Sequence, residues 1–196
     1  YLYAGMRRGG RSYYGLDVTN RNNPDMLFKI TGGETSGFDR LGQTWSKMTV
    51  AKVMWDGSSR YVLFFSGGYD VNQDTNSTSE DDSIGNAIYM VDASTGDLLW
   101  TASKDSANLN ITDMKNSIPA SISAVDITGD HHVNYLFAAD TAGRVFRIDI
   151  KPDNSGASDF AQGGMIANIG DNTESGNRRF FNKPNVSLIK DKQVGD

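Results

Sequence analysis

Apolar residues in this chain come in short runs of about five to nine, broken by Gly, Asp, Asn and Ser, with almost no stretch at helical spacing. Runs rich in Val, Ile, Tyr and Phe fall at 11–18, 26–30, 49–54, 60–66, 87–92, 98–102, 122–126, 135–139, 144–150, 165–169 and 186–190. Between them sit Asp56-Gly57, Thr95-Gly96 and Ala142-Gly143, pairs that supply the positive φ a hairpin reversal needs. The pattern predicts an all-β protein of short antiparallel strands. The opening Tyr1-Leu2-Tyr3 also reads as strand, with no signal-peptide pattern before it, and is expected to belong to a longer chain.

The strands repeat. Tyr13-Tyr14-Gly15-Leu16-Asp17-Val18, Ile88-Tyr89-Met90-Val91-Asp92-Ala93 and Val145-Phe146-Arg147-Ile148-Asp149-Ile150 each carry an aromatic and then an apolar-Asp-apolar step. A second series begins at Met48, Ala120 and Pro184, about 72 and 64 residues apart. Four-stranded antiparallel units in series are propeller blades, and a ring closes with about four to eight of them. Units of this length give under three blades, hence an incomplete ring, with approximate blades at 1–40 (partial), 41–104 and 117–170 and the start of another at 180–196. The surplus residues are expected in long inserted loops at 69–85 and 103–117, both rich in Ser, Thr, Asn and Asp.

Composition narrows the function classes. Glycine is high at 21 of 196 residues and proline low at 4, which suits many tight turns. Nineteen basic against 24 acidic residues give a net charge of −5, so nucleic acid is not an expected partner. No apolar stretch is long enough for a membrane-spanning helix. The chain has no cysteine, and its two histidines, His131 and His132, are adjacent. A Ser-His-Asp or Cys-His catalytic set therefore has almost nothing to draw on, and a non-enzyme is the expectation.

The densest candidate chemistry lies at 126–134, where Asp126, Thr128, Asp130, His132 (through its backbone carbonyl) and Asn134 place oxygens at relative positions 1, 3, 5, 7 and 9. A hard cation such as Ca²⁺ takes six to eight oxygens, and such spacing supplies most of them from one turn. Two carboxylates make this a weak site, comparable with extracellular modules of Kd about 10⁻⁴–10⁻³ M. A plain hairpin turn is the competing reading. The acidic stretch 70–82 alternates oxygens too, but without a turning glycine it reads as a solvated insertion. The two histidines read as solvent-facing turn residues. Arg7, Arg8 and Arg11 with Tyr13 and Tyr14 could grip phosphate and stack bases, or form a hairpin whose arginines pair with neighbouring acids; the overall acidity favours the hairpin. Glycosylation tripeptides at Asn76, Asn110 and Asn185 carry weight only in a eukaryotic secretory setting.

Several of these stretches, in order, resemble the PilY/PilC-type proteins of type IV pilus biogenesis. They are Gly5-Met6-Arg7-Arg8-Gly9-Gly10-Arg11-Ser12-Tyr13-Tyr14 with Leu16-Asp17-Val18, Leu41-Gly42-Gln43-Thr44-Trp45-Ser46, and Gly67-Gly68-Tyr69-Asp70. Then come Gly85-Asn86-Ala87-Ile88-Tyr89-Met90-Val91-Asp92, Thr95-Gly96-Asp97-Leu98-Leu99-Trp100, Ser117-Ile118-Pro119-Ala120 and Asp140-Thr141-Ala142-Gly143-Arg144-Val145-Phe146-Arg147. The resemblance runs from residue 5 to about 150. It implies a C-terminal β-propeller of a larger exported protein at the pilus tip or outer surface of a Gram-negative bacterium. Such proteins are tied to pilus assembly, control of retraction, adhesion and twitching motility, with pilin or minor pilin subunits and host or abiotic surfaces as partners. It also implies a calcium loop, onto which Asp126, Thr128, Asp130, His132 and Asn134 fall. Family loops usually carry an acid or Asn where Thr128 stands and Asp where Asn134 stands. The stretch 91–100 also looks like a blade of quinoprotein dehydrogenases, and a periplasmic scaffold propeller is a further alternative.

Overall fold

The computed structural model describes residues 1–75 and 77–189, and its regular structure is all β apart from two short 3₁₀ turns. Among these residues twelve strands form three sheets, each from one continuous part of the chain. The first holds β1 (Leu2–Gly5), β2 (Ser12–Asp17) and β3 (Asp25–Thr31), in that order. The second follows as β4 (Thr49–Trp55), β5 (Ser58–Ser66), β6 (Ala87–Asp92), β7 (Leu98–Ser103) and β8 (Leu109–Asn110). The third contains β9 (Ser123–Val125), β10 (Tyr135–Ala139), β11 (Arg144–Ile150) and β12 (Ala161–Asn168), with each strand beside its neighbour in sequence. All pairings are antiparallel except β7 with β8, which is parallel.

Local sequence explains the hairpins. Asp56 and Gly57, at φ 48° and 70°, form the two-residue loop between β4 and β5, and the ladder runs without a slip from Trp55↔Ser58 to Thr49↔Phe64. Two consecutive positive φ values match the twist of the flanking strands, which is why an Asp-Gly pair stands there. The second sheet has five strands, where four were expected, because β8 in the 103–117 insertion adds itself parallel to β7.

Strand alternation sorts side chains into two cores. Within β5, Val62 and Phe64 face one side while Leu63 and Phe65 face the other. In β6, Ile88 and Met90 join the first set, and Ala87, Tyr89 and Val91 the second. The first core meets the third sheet through Leu136, Phe146 and Ile148, the second meets the first sheet through Tyr13, Phe28 and Ile30. Sheet two is thus sandwiched, which accounts for the near-continuous apolar run at 62–65. Phe28 ties sheets one and two together: its ring would lie 2.4 Å from a Cβ at Gly15 and 2.5 Å from one at Gly96, so both positions need glycine.

The motif stretches meet between the sheets. Gly42 donates to Gly67, Gln43 and Tyr69 exchange N–H···O bonds at 2.9 and 3.0 Å, and Gly68 donates to Ile118 at 3.2 Å. Gly68 has φ 88°, and a Cβ there would lie 2.1 Å from the Gln43 carbonyl oxygen, so the backbones can approach only without a side chain.

One expected strand is absent. Residues 186–189 carry no strand, and neither does 184–187, the third member of the second series; the chain at 180–189 is irregular. It lies against the sheets through separate bonds, Phe180 N–H to Asp140 O at 3.1 Å and the Ser123 hydroxyl to Pro184 O. Pro184 lacks an N–H for a ladder, which removes one bond from any pairing there. Lys190, and residues 190–196 of the expected further blade, lie outside the described residues.

Candidate functional site

The turn at 126–134 joins β9 to β10 and is built around Asp126. Its Oδ1 accepts from the Thr128 N–H (3.0 Å), the Thr128 hydroxyl (3.1 Å) and the Gly129 N–H (2.8 Å), and its Oδ2 from the His131 N–H (2.8 Å). Asp130 Oδ1 accepts from the His132 N–H at 3.0 Å and lies 2.8 Å from the Thr128 hydroxyl. Asn134 closes the turn by accepting from the Ile127 N–H at 2.8 Å. Gly129 and His131 adopt positive φ, 78° and 69°. The structure thus gathers Asp126, Thr128 and Asp130 into one oxygen cluster, while the Asn134 amide oxygen is taken up by the Ile127 N–H.

Electrostatics follow from these bonds. Partial burial would raise the Asp126 carboxyl, yet the N–H groups of Gly129, His131 and Thr128 outweigh it and hold the carboxyl below its usual range. The His132 N–H and the Thr128 hydroxyl do the same for Asp130. His132 is not the solvent-facing residue expected: its ring is half-buried, with Nε2 2.7 Å from the Ser59 hydroxyl and Nδ1 3.4 Å from Asp130 Oδ2. The β4–β5 hairpin takes it up because Val133 N–H donates to Lys52 O at 2.9 Å, which draws the turn over that hairpin. His131 is exposed.

Two carboxylates, a hydroxyl, the His132 carbonyl and the Asn134 amide oxygen are hard donors and fit the chemistry of a weak Ca²⁺ site. The cradle itself is not peculiar to this turn. Asp92 accepts from the Ser94 and Thr95 N–H groups, and Asp171 from the N–H and hydroxyl of Thr173, in ordinary Asx turns. Among the described residues no cluster of three or more His, Asp or Glu side chains is placed to hold a metal.

The acidic stretch 70–82 corrects the sequence reading. It is solvated only in part: Val71, Asn72, Asp74, Thr75, Ser77, Glu80 and Asp81 are exposed, whereas Asp70, Gln73 and Asp82 are buried. Asp70 caps a 3₁₀ turn at Val71–Asp74 by accepting from the Asn72 N–H. Ser117 is the hub. Its N–H donates to Asp82 at 2.6 Å, its hydroxyl accepts from the Asp70 N–H at 2.9 Å, and its carbonyl accepts from the Thr141 N–H at 2.9 Å. Gln73 donates to the other Asp82 oxygen at 2.8 Å. Beside Thr141, the fully buried Asp140 accepts from the Ala142 and Arg144 N–H groups and faces the Arg144 guanidinium at 3.5 Å. Burial pushes the Asp140 carboxyl up to about 6, against those N–H groups and Arg144, and burial raises Asp82 as well. Sequence reasoning missed this network; its signal was the same Gly67-Gly68-Tyr69-Asp70, Ser117-Ile118 and Asp140-Thr141 stretches that carry the family resemblance. Asn76 lies outside the described residues, while Asn110 sits in β8 and Asn185 in the irregular segment, both exposed.

The arginine stretch divides. Arg8 pairs with Asp74 at 3.1 Å, as the hairpin reading expected, but Arg11 donates to the carbonyls of Leu41 and Asp39. The Arg7 guanidinium lies 5.5 Å from the Trp45 ring centroid. Tyr13 is fully buried and donates to Ser46 O at 2.8 Å, so it offers no face to a base.

No protein-family model and no curated protein matches the chain. A solved structure does: the crystal structure of the Pseudomonas aeruginosa PilY1 C-terminal domain superposes with a TM-score of 0.66 over 94% of this chain at 20% identity. The chain resembles the PilY1 C-terminal domain in fold. It spans about a third of that domain, 36%. At that identity the likeness speaks for the all-β architecture.

Proposed function

We propose that this chain is part of a non-enzymatic β-propeller of a type IV pilus biogenesis or tip protein, modulated by calcium at Asp126, Thr128, Asp130, His132 and Asn134. The observation that carries the reading is the superposition of almost the whole chain on the PilY1 C-terminal domain, joined to the motif order at 5–150. Three sheets in chain order, stacked face to face through two cores, are what successive blades supply. Apolar side chains exposed on the outer sheets, Met26 in β3 and Ile166 in β12, suit burial against further blades of the same propeller. The blades are 1–40 (partial), 41–104 and 117–170, with 180–196 leading into the next.

In this reading the protein is carried to the Gram-negative cell surface or pilus tip, meets pilin subunits and an external surface there, and supports assembly, retraction control, adhesion and twitching motility. Calcium, bound, would neutralise Asp126 and Asp130 and fix the turn over the β4–β5 hairpin. Titrating Ca²⁺ calorimetrically into metal-free protein, with Asp130→Ala and Mg²⁺ as controls, tests the ion. Saturable binding lost in the variant supports it; none up to several millimolar in folded protein removes calcium from the proposal. Immunogold labelling with antibody to the chain tests the location, since label off the pili and the outer surface would overturn it.

A further inference from the structure

At the opposite end of β9 from the 126–134 turn, two recesses of about 440 and 360 Å³ adjoin and share Arg7, Trp45, Lys47 and Met48. The larger reaches Pro119, Ser121 and Lys183. No Asp or Glu lines either recess among the described residues, although the protein as a whole carries −5. Arg7, Lys47 and Lys183 are exposed, and the ion pairs among the described residues involve none of them. In contrast, Arg8, one residue on, is already matched by Asp74. Among the described residues the cleft is therefore a local concentration of unpaired positive charge in an acidic protein, with Met48 and the exposed Phe181 beside the buried Pro119 and Ala120 as its apolar wall. Arg7 is held at its edge, its N–H donating to Thr44 O at 3.1 Å and its guanidinium resting on Trp45, so less side-chain freedom is lost when an anion arrives.

We propose that this cleft is a docking site for a short acidic polypeptide segment, whose carboxylates meet Arg7, Lys47 and Lys183 and whose apolar side chains lie against Met48 and Phe181. Charge complementarity selects the occupant. A nucleic-acid strand suits it less well. Trp45 is already engaged by Arg7 and Arg8, at 5.5 and 5.7 Å, and by Tyr69 at 5.4 Å, so stacking would fall mainly to Phe181, exposed in the larger recess and itself 6.1 Å from Tyr69. The net charge also repels a polyphosphate chain more than a peptide bearing a few carboxylates. The inference stands apart from the calcium turn and from any pilus role.

The test uses a fluorescein-labelled octapeptide of alternating glutamate and leucine, read by anisotropy at low ionic strength, with a lysine-leucine octapeptide and a labelled oligothymidylate as comparisons. Saturable binding of the glutamate peptide is expected, falling about tenfold or more in the folded Arg7→Gln/Lys47→Gln/Lys183→Gln variant and weakening as salt rises. The Arg8→Gln variant, its charge already paired, is expected to bind nearly as the parent does. Absence of saturable binding, equal binding by the triple variant, or tighter binding of the lysine peptide or the oligothymidylate would each overturn the proposal.

Discussion

Aspartates in two parts of this molecule meet opposite surroundings. In the 126–134 turn, Asp126 and Asp130 sit at the surface, and a dense set of N–H and hydroxyl donors lowers both carboxyls. Around Ser117, Asp82 and Asp140 are buried, and desolvation raises both despite their donors. The difference teaches that donor count alone does not set a carboxyl's behaviour. The turn keeps its carboxylates charged because N–H and hydroxyl donors face them at the surface, whereas the network uses its acids to join three chain segments and tolerates charge poorly.

The comparison can be broken most forcefully at Asp82. Its replacement by Ala leaves the Ser117 N–H and the Gln73 amide without acceptors in a buried setting, and is expected to cost about 3 kcal/mol in urea unfolding. Next comes pH. Asp140 has its folded pKa near 6 against an ordinary 3.8, so its protonated form favours the fold: that contribution is complete below about pH 4 and lost as pH rises through 6. Stability is thus expected to increase on acidification from pH 7 to 5, by roughly 1 kcal/mol. Asp140→Asn should flatten that slope, and an unchanged slope would place the titration elsewhere. Asp126 and Asp130 act with the reverse sign, since their lowered pKa values give stability that is lost as pH falls below about 4.

Smaller effects sharpen the turn. Thr128→Asp is expected to raise calcium affinity about tenfold by adding a third carboxylate, while lowering the calcium-free melting temperature slightly through repulsion with Asp126 and Asp130. Asp126→Ala should lower the melting temperature by no more than a few degrees, because the turn is exposed and its N–H groups can turn to water. A loss as large as that at Asp82 would erase the distinction between the two regions.

Much of the fold was legible in sequence. Period-two alternation and turn chemistry placed β2 to β7 and β9 to β11 to within a few residues, since both are local properties of the chain. Two elements misled for identifiable reasons. The run at 186–189 has strand composition but no paired neighbour among the described residues, and pairing rather than composition makes a strand. The acidic stretch 70–82 reads as solvated throughout because Asp, Asn and Ser are polar wherever they stand; most of it is exposed, but nothing local reveals that Asp82 is buried with Ser117 and Gln73 donating to its oxygens.

The sequence by itself determined the all-β class, the hairpin at Asp56-Gly57, the order of the sheets along the chain, and the oxygen spacing of the 126–134 turn. Each follows from steric rules acting over a few residues. Only the tertiary structure decided that sheet two is buried on both faces, that Asp82 and Asp140 are interior while Asp126 and Asp130 are not, and that Arg7, Lys47 and Lys183 share one cleft. Burial and charge proximity depend on what the remote parts of the chain bring alongside, and there the spacing in sequence carries no information about distance in space.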